Sequence, residues 1–381
     1  MRLLWLSACA ALVLGFEPRA FEPRAFEPRC SLQNFPHDPA KTTRIAIGLF
    51  GLMRANCTAN NFERFMLEGL LKHRGHAYTV DVFVHANIIA AGQITNLRTN
   101  EVGDAVPAAD EILHFKPCSY TFEDQGLVDE QLRPLQKNMA VGFKDMYKDG
   151  GASALNLIRS LYSLDTVGNL IKAREALLGF KYDVVASVRL DTIFTRAVPG
   201  HVYANLGDVG VFVPHFGCSV TGVVLMNDRF ALGSRAGMLE AYMPRVHDVT
   251  NFEMKRNTTH NSDLKHAAFS GERHLLHVMR AKNVVVERAQ WVCMRRVRAA
   301  GKIHLKLFSS SGKCALEDSV EVCTPEVMLE TPVCRVGSGC HQRGSSRSIL
   351  RFDGQDWCEK ERMALPSCRS KTMHLTLDHD P

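Results

Sequence analysis

Short apolar runs alternate with amphipathic stretches over most of the chain. The runs at 43–51, 78–86 and 183–188 are largely apolar, which is typical of strands buried on both faces. Between the second and third of these runs, the stretch from about 130 to 178 carries apolar residues at helical spacing. Strands that alternate with helices predict an α/β fold, with a mostly parallel sheet flanked by helices.

Shorter segments extend the same pattern toward the C-terminus. Further strands are predicted at "EILHF" (111–115), "VGVFVP" (209–214), "TGVVLMN" (221–227) and "NVVVE" (283–287), and further helices at 234–245 and 262–282. From about residue 290 the regular pattern gives way to cysteines, glycines, serines and isolated charges. We expect residues 44–289 to form the α/β domain and residues 290–381 to form a small cysteine-rich module.

The first 43 residues differ from the rest in composition. The apolar run at 3–15 is too short to span a bilayer comfortably and fits a signal peptide or a signal anchor, which assigns residues 1–15 to that segment. Residues 16–43 contain a repeated "FEPRA" unit whose prolines oppose helix formation, so a low-complexity spacer is expected. These segments predict the secretory pathway, either the Golgi lumen or secretion, with a plastid as a minor alternative.

Cysteine usage agrees with an oxidising compartment. Seven of the twelve cysteines fall between Cys293 and Cys368, and no C-x-x-C pair of the kind that holds zinc is present, so disulfides are favoured over a metal site. Asn56 and Asn257 each begin a glycosylation acceptor triplet. The net charge of +6 is modest and does not indicate a nucleic-acid-binding protein.

Two charged residues follow the most strongly predicted strand. Arg189 and Asp191 lie where open α/β sheets bind ligands, at the carboxyl ends of their strands. A simple ion pair or turn cap is the competing interpretation. The sequence has no P-loop, no H-E-x-x-H zinc motif and no G-x-S-x-G nucleophile motif, so those classes of enzyme are not indicated.

The order of several segments resembles glycosyltransferase-like proteins of algal and polysaccharide-synthesis type, which look like nucleotide-diphosphosugar transferases of the A-type fold. The matching segments are "RIAIGLFGLMR", "VDVFVHA", "SLYSLDTV", "YDVVASVRLDTIF", "VFVP", "NDRFALGS" and "GERHLL". They cover residues 44 to about 298. The resemblance implies a nucleotide-sugar donor and a glycan or glycoprotein acceptor. Membrane anchoring through residues 3–15 is expected if the apolar run is a signal anchor.

The resemblance also implies roles for individual residues. Asp191 is expected to hold a divalent cation, Mn²⁺ or Mg²⁺, because carboxylate oxygens suit these ions. Most A-type transferases have two aspartates that flank one residue, and Arg189 stands in place of the first. This departure from the metal-binding pattern suggests a phosphate clamp at Arg189. The remaining candidates are Arg54, Arg189, Asn227 and Arg229 for donor binding, and Asp228 and Glu272 for catalysis.

Simpler explanations compete with these roles. Asn227 and Asp228 form a natural turn pair, and Glu272 at a helix start is equally suited to capping. The basic run "RRVRAAGKIHLK" (295–306) is predicted to be a solvated edge, with attraction of an anion as the alternative. A different class of function is also consistent with the sequence, namely a secreted carbohydrate-binding or structural protein with an inactive transferase-like fold.

Overall fold

A computed structural model defines the fold of the central part of the chain. It describes residues 30–33, 42–54, 57–71, 76–89, 93–96, 101–104, 112–140, 149–194, 197–204, 206, 209–214, 219–220, 223–224, 226–252, 269–289, 291–292, 294–298 and 349–350. The predicted signal segment, most of the spacer and nearly all of the cysteine-rich module lie outside these residues. The proposed domain boundaries therefore stay predictions.

The strands and helices are numbered in chain order. The strands are β1 Leu32–Gln33, β2 Thr42–Leu52, β3 Ala77–Ile88, β4 Gln93–Asn96, β5 Glu101–Asp104, β6 Ser119–Asp124, β7 Val184–Arg189, β8 Thr192–Phe194, β9 Val211–Pro214, β10 Ser219–Val220, β11 Val223–Val224, β12 Phe230–Ser234, β13 Val286–Ala289, β14 Met294–Arg296 and β15 Ile349–Leu350. The helices are α1 Cys57–Phe62, α2 Glu68–Leu71, α3 Gln125–Ala140, α4 Ala152–Leu178, α5 His201–Ala204 and α6 Gly271–Ala281. Further helical segments are π-helical at Glu63–Leu67 and Gly237–Tyr242, and 3₁₀-helical at Met243–Asp248.

A nine-stranded sheet forms the centre of the described structure, in the order β1-β3-β2-β7-β12-β9-β13-β15, with β6 also paired to β3. Strands β2, β3, β6 and β7 are mutually parallel, β12 is antiparallel to both of its neighbours, and β13 is parallel to β9. Six of the nine strands therefore point in one direction. The prediction of a mostly parallel α/β sheet flanked by helices is confirmed.

Both faces of the sheet are buried, which explains the continuous apolar runs. Alternate residues of β2 belong to different cores: Ile45, Ile47 and Leu49 face one, and Ala46 and Phe50 face the other. The first core is closed by residues of α1, α2 and the π-helical segment between them, and the second by α4, α6 and the Gly237–Tyr242 segment. Period-two burial on both faces leaves few polar positions in these strands.

The strand order creates a switch point between β2 and β7. From β2 the chain adds β3 and then β6 on one side, and it returns to place β7 on the other side of β2. In open α/β sheets, ligands bind in the crevice outside the carboxyl ends of the strands at such a point. The residues that follow β2 and β7 are therefore the first place to look for a functional site.

One strand prediction was wrong. Residues 112–115, within "EILHF", form a helical turn, in which the Phe115 amide donates to the Ile112 carbonyl at 3.1 Å. Ile112 and Phe115 are both buried, at the i and i+3 positions of this turn. In so short an apolar run, the sequence pattern of a helical turn cannot be told apart from that of a strand. The third parallel strand is instead β6, which follows Lys116 with its positive φ of 51°.

A disulfide joins Cys30 to Cys118, with the two Cα atoms 5.0 Å apart. Cys30 precedes β1 and Cys118 precedes β6, and these two strands pair with successive halves of β3. The bridge thus fixes the outer edge of the sheet across 88 residues of sequence. The seven C-terminal cysteines lie outside the described residues. Across the described ranges, no helix combines the length and apolar character needed to cross a membrane.

Candidate functional site

The ends of β2 and β7 lie side by side at the switch point. Phe50 pairs with Arg189 in the parallel register, and the Leu190 amide donates to the Phe50 carbonyl at 2.9 Å. This pairing brings Arg54, just beyond β2, close to Asp191, just beyond β7. Three of the residues singled out from the sequence therefore meet at one edge of the sheet.

Three arginines surround the carboxylate of Asp191. Arg189 donates from Nε to Oδ1 and from Nη2 to Oδ2, both at 2.9 Å. Arg296 donates from Nε and Nη2 to Oδ2 at 3.1 and 2.7 Å, and Nε of Arg54 lies 3.5 Å from the same oxygen. The carboxylate is 2% exposed, so these charges interact with little screening by water.

The electrostatics of this cluster follow from burial and from the excess of cations. Burial alone would raise the pKa of Asp191, but Arg189, Arg296 and Arg54 lower it well below its ordinary value. Burial, together with the nearby Arg189 and other arginines, lowers the pKa of Arg296 to about 9, although Asp191 opposes the decrease. The site is therefore electropositive around a single buried carboxylate.

Arg296 reaches this cluster from a distant part of the sequence. Strand β14 pairs antiparallel with β8, which places Arg296 opposite Thr192, and the Val297 amide donates to the Asp191 carbonyl at 2.8 Å. Arg295 and Arg298 are also buried. The prediction of a solvated edge was therefore wrong for the described part of the basic run, because Arg295 and Arg298 are buried and Arg296 binds Asp191.

The turn from Asn227 to Arg229 lies across from the end of β7. Strand β12 pairs with β7 so that Phe230 is opposite Val188, and the preceding turn therefore reaches the same edge. Asn227 is fully buried, and its Oδ1 accepts the Arg229 amide at 3.0 Å, as turn chemistry predicts. This turn holds Asp228 and Arg229 at the rim of the site.

Glu272 enters the site from the start of α6. Ser270 caps this helix by accepting the Arg273 amide on its hydroxyl, which leaves Glu272 in the first turn with its side chain 24% exposed. Its Oε1 lies 3.7 Å from Nη2 of Arg229. Burial raises the pKa of Glu272 above its ordinary value, and the neighbouring Asp228 carboxylate raises it further. Arg229 opposes this increase.

Asp228 packs directly against the start of the same helix. A Cβ added at Gly271 would lie 2.1 Å from Oδ2 of Asp228, so only glycine allows this approach. Asp228 also raises the pKa of Arg189: burial alone would lower that pKa, and Asp191 and Asp228 outweigh the burial. Asp228 is therefore close both to the arginine cluster and to Glu272.

A buried polar network that the sequence did not reveal supports the neighbouring strand ends. His85, near the end of β3, contacts Oγ of Ser163 through Nδ1 at 2.6 Å and Oε2 of Glu123 through Nε2 at 2.8 Å. Ser163 on α4 also accepts the Gly51 amide at 2.8 Å, and the Tyr162 hydroxyl donates to Glu123 at 3.2 Å. The network fixes the end of β2, where Gly51 has a φ of 103°. No sequence motif indicated the amide hydrogen bond or the positive φ of Gly51.

The residues present do not fit a divalent cation at Asp191. Both of its oxygens already accept guanidinium N–H groups, and a cation there would face three positive charges. Within the described ranges, Cys30, Asp81 and Cys118 bring three ligand atoms within 4.8 Å of one another, but both sulfurs belong to the disulfide. A requirement for Mn²⁺ or Mg²⁺ stays a prediction that this arrangement does not favour.

Comparison with known proteins gives similarities of structure only. No protein-family profile and no curated protein sequence matches the chain. Mouse xyloside xylosyltransferase 1 is similar at 10% identity and a TM-score of 0.35, over 63% of this chain and 82% of that protein. The glycosyltransferase GlyE of Streptococcus pneumoniae is similar at 10% identity and 0.30, over 66% of this chain and 46% of GlyE.

A third similar structure is galactosyltransferase LgtC in complex with donor and acceptor sugar analogues. It is 10% identical, with a TM-score of 0.29, and the match covers 62% of this chain and 70% of LgtC. At these TM-scores, the similarities do not specify an activity for this chain. The narrower resemblance to algal polysaccharide-synthesis proteins is not supported by these structures and stays a prediction.

Proposed function

We propose that the protein is a glycosyltransferase that transfers a sugar from a nucleotide-diphosphosugar to a glycan or glycoprotein acceptor. The observation that carries this proposal is the convergence of Arg54, Arg189 and Asp191 with Asp228 and Glu272 at the switch point of the sheet. An electropositive cluster beside acidic groups provides one surface for a phosphorylated leaving group and another for the sugar and its acceptor.

The chemistry assigns different roles to the two halves of the site. When a sugar leaves its nucleotide diphosphate, negative charge develops on the departing phosphate oxygen, and fixed cations such as Arg189 stabilise that charge. Glu272 has a raised pKa and is suited to take the proton from the acceptor hydroxyl. Asp228, held against Gly271, is placed to accept hydrogen bonds from sugar hydroxyls, and Asn227 holds the turn that presents it.

Binding of a sugar nucleotide is the first expected result. A ligand that binds only the folded state at one hundred times its Kd stabilises that state by about 2.7 kcal/mol. We therefore expect at least one member of a sugar-nucleotide panel to raise the melting temperature of the full-length protein, while the matching free sugars and nucleosides do not. Stabilisation by free glycans, with no response to any sugar nucleotide, would instead favour a carbohydrate-binding protein without transferase activity.

Location in the Golgi lumen or outside the cell is part of the proposal. It is supported by the apolar run at 3–15 and by the disulfide between Cys30 and Cys118, since such bonds persist in oxidising compartments. A full-length chain with a C-terminal tag is expected in the secretory pathway of a eukaryotic host, with Cys30 and Cys118 protected from alkylation until reductant is added. A cytosolic chain whose Cys30 and Cys118 react at once would contradict this location.

A further inference from the structure

The arginine cluster holds more positive charge than its buried carboxylate neutralises. Asp191 contributes one negative charge and binds both Arg189 and Arg296, which contribute two positive charges. Arg54 lies beside the same carboxylate, and Asp228 acts on Arg189 from the rim of the site. The depressed pKa of Arg296 has burial as its largest cause, and neighbouring arginines lower it further. Cations held close together in a partly buried site favour the arrival of an anion.

The geometry also leaves hydrogen-bond donors for such an anion. A guanidinium group has five N–H donors, and Arg189 and Arg296 each use Nε and Nη2 to bind Asp191. Within the part of the chain that the structure describes, the other donors of these two side chains have no partner. The side chains are 21% and 18% exposed, so a ligand can reach them from solvent.

We propose that Arg189 and Arg296, together with Arg54, bind the diphosphate of the donor directly and do so without a divalent cation. The inference rests on the proposed function for the identity of the ligand. Asp191 is then a positioning residue: it holds two guanidinium planes in place before the ligand arrives, which reduces the entropy lost on binding. Planar guanidinium groups pair bidentately with phosphate oxygens, so they supply direction as well as charge.

The cluster then takes part in a balanced transfer step. The bond between the sugar C1 and the phosphate oxygen breaks, and its electron pair leaves with the diphosphate, whose new charge faces the arginines. The acceptor oxygen forms the new bond to C1, and its proton passes to the carboxylate of Glu272. No oxidant, reductant or further reactant is needed, and the positive charge is already in place when the bond breaks.

Titration with inorganic pyrophosphate in the presence of EDTA tests this inference. We expect the full-length protein to bind pyrophosphate in chelator, and Arg296→Gln to weaken binding by about tenfold or more, because a charged hydrogen-bond pair is lost. The matched control is Arg44→Gln, since Arg44 stacks on Phe180 at the opposite end of the same sheet. We expect Arg44→Gln to bind as the wild type does, and melting temperatures to show that both variants are folded.

Two results would overturn the inference: no binding of pyrophosphate in EDTA, or an affinity of folded Arg296→Gln equal to that of the wild type. If Arg296→Gln does not fold, Arg54→Gln replaces it, and the wild-type titration in EDTA remains decisive on its own. Failure of the proposed function gives a different pattern, in which pyrophosphate binds in chelator but no sugar nucleotide stabilises the protein. A sugar nucleotide that binds only when Mn²⁺ is present would reject metal independence and keep the transferase.

Discussion

Asp191→Asn is expected to destabilise the folded protein by about 3–5 kcal/mol, the usual cost of removing one partner of a buried ion pair. The substitution leaves three guanidinium groups close together without the carboxylate that holds them. Urea denaturation at pH 7 measures the change in the free energy of unfolding. We also expect the folded fraction of the variant to bind sugar nucleotides more weakly, because Arg189 and Arg296 lose their common anchor.

The pH dependence of this loss follows from the sign of the pKa shift. Because the pKa of Asp191 is depressed in the folded state, its contribution to stability is complete above the unfolded value, near 3.9, and decreases as the pH falls below it. The difference between wild type and variant should therefore be constant from pH 7 to about 5 and become smaller below about pH 4. This is the opposite of what a carboxyl group with a raised pKa would show.

Asp183→Asn is the matched control, since Asp183 precedes β7 and Asp191 follows it. Oδ2 of Asp183 accepts the Arg44 amide at 2.8 Å in an exposed setting. We expect this variant to lose no more than about 1 kcal/mol, as for an ordinary hydrogen bond. Equal and small losses for both variants would show that the arginine cluster contributes little to stability.

Glu272→Gln is expected to lower the transfer rate by about 10²–10⁴-fold, the contribution that general base catalysis usually makes. A base must be ionised to accept a proton, and burial together with Asp228 raises the pKa of Glu272. The wild-type rate should therefore rise with pH over a range above the ordinary titration of a glutamate, and this rise should be absent in the variant. The rate is measured as release of nucleoside diphosphate from the donor identified by thermal shift.

The control for this variant is Glu240→Gln. Glu240 is exposed and pairs with Arg235, which follows the far end of β12 from the site. Its substitution should leave both the rate and the pH profile unchanged. If Glu272→Gln retains the wild-type rate and profile, Glu272 is a helix-start residue without a catalytic role.

The sequence predicted those strands whose apolar pattern matches their burial in the structure. Strands β2, β3 and β7 are largely apolar because both of their faces are covered, and their sequences therefore indicated buried strands. Strand β12 was missed because its five residues include a glycine and run directly into a helix. A Cβ at Gly233 would lie 2.1 Å from the Gly210 carbonyl oxygen, so close approach of β9 explains a residue that strands otherwise disfavour.

In the candidate site, the sequence predicted only the residues that lie at or near the ends of predicted strands. Arg189 and Asp191 were identified because they lie at the end of a clear strand, and Arg54 because it lies just beyond the end of the first one. Arg296 was not identified, since it lies 105 residues from Asp191 and reaches it only through the pairing of β14 with β8. A basic run in sequence gives no sign of which arginines will be buried beside a carboxylate.

The most direct test of the account is a crystal structure of the protein with the sugar nucleotide that stabilises it most, grown in the presence of EDTA. The account predicts that the diphosphate lies at the switch point between β2 and β7, with its oxygens within hydrogen-bond distance of Arg189 and Arg296 and with the sugar near Asp228 and Glu272. A diphosphate bound elsewhere on the protein, or no bound nucleotide while the same crystals bind it in Mn²⁺, would contradict the account.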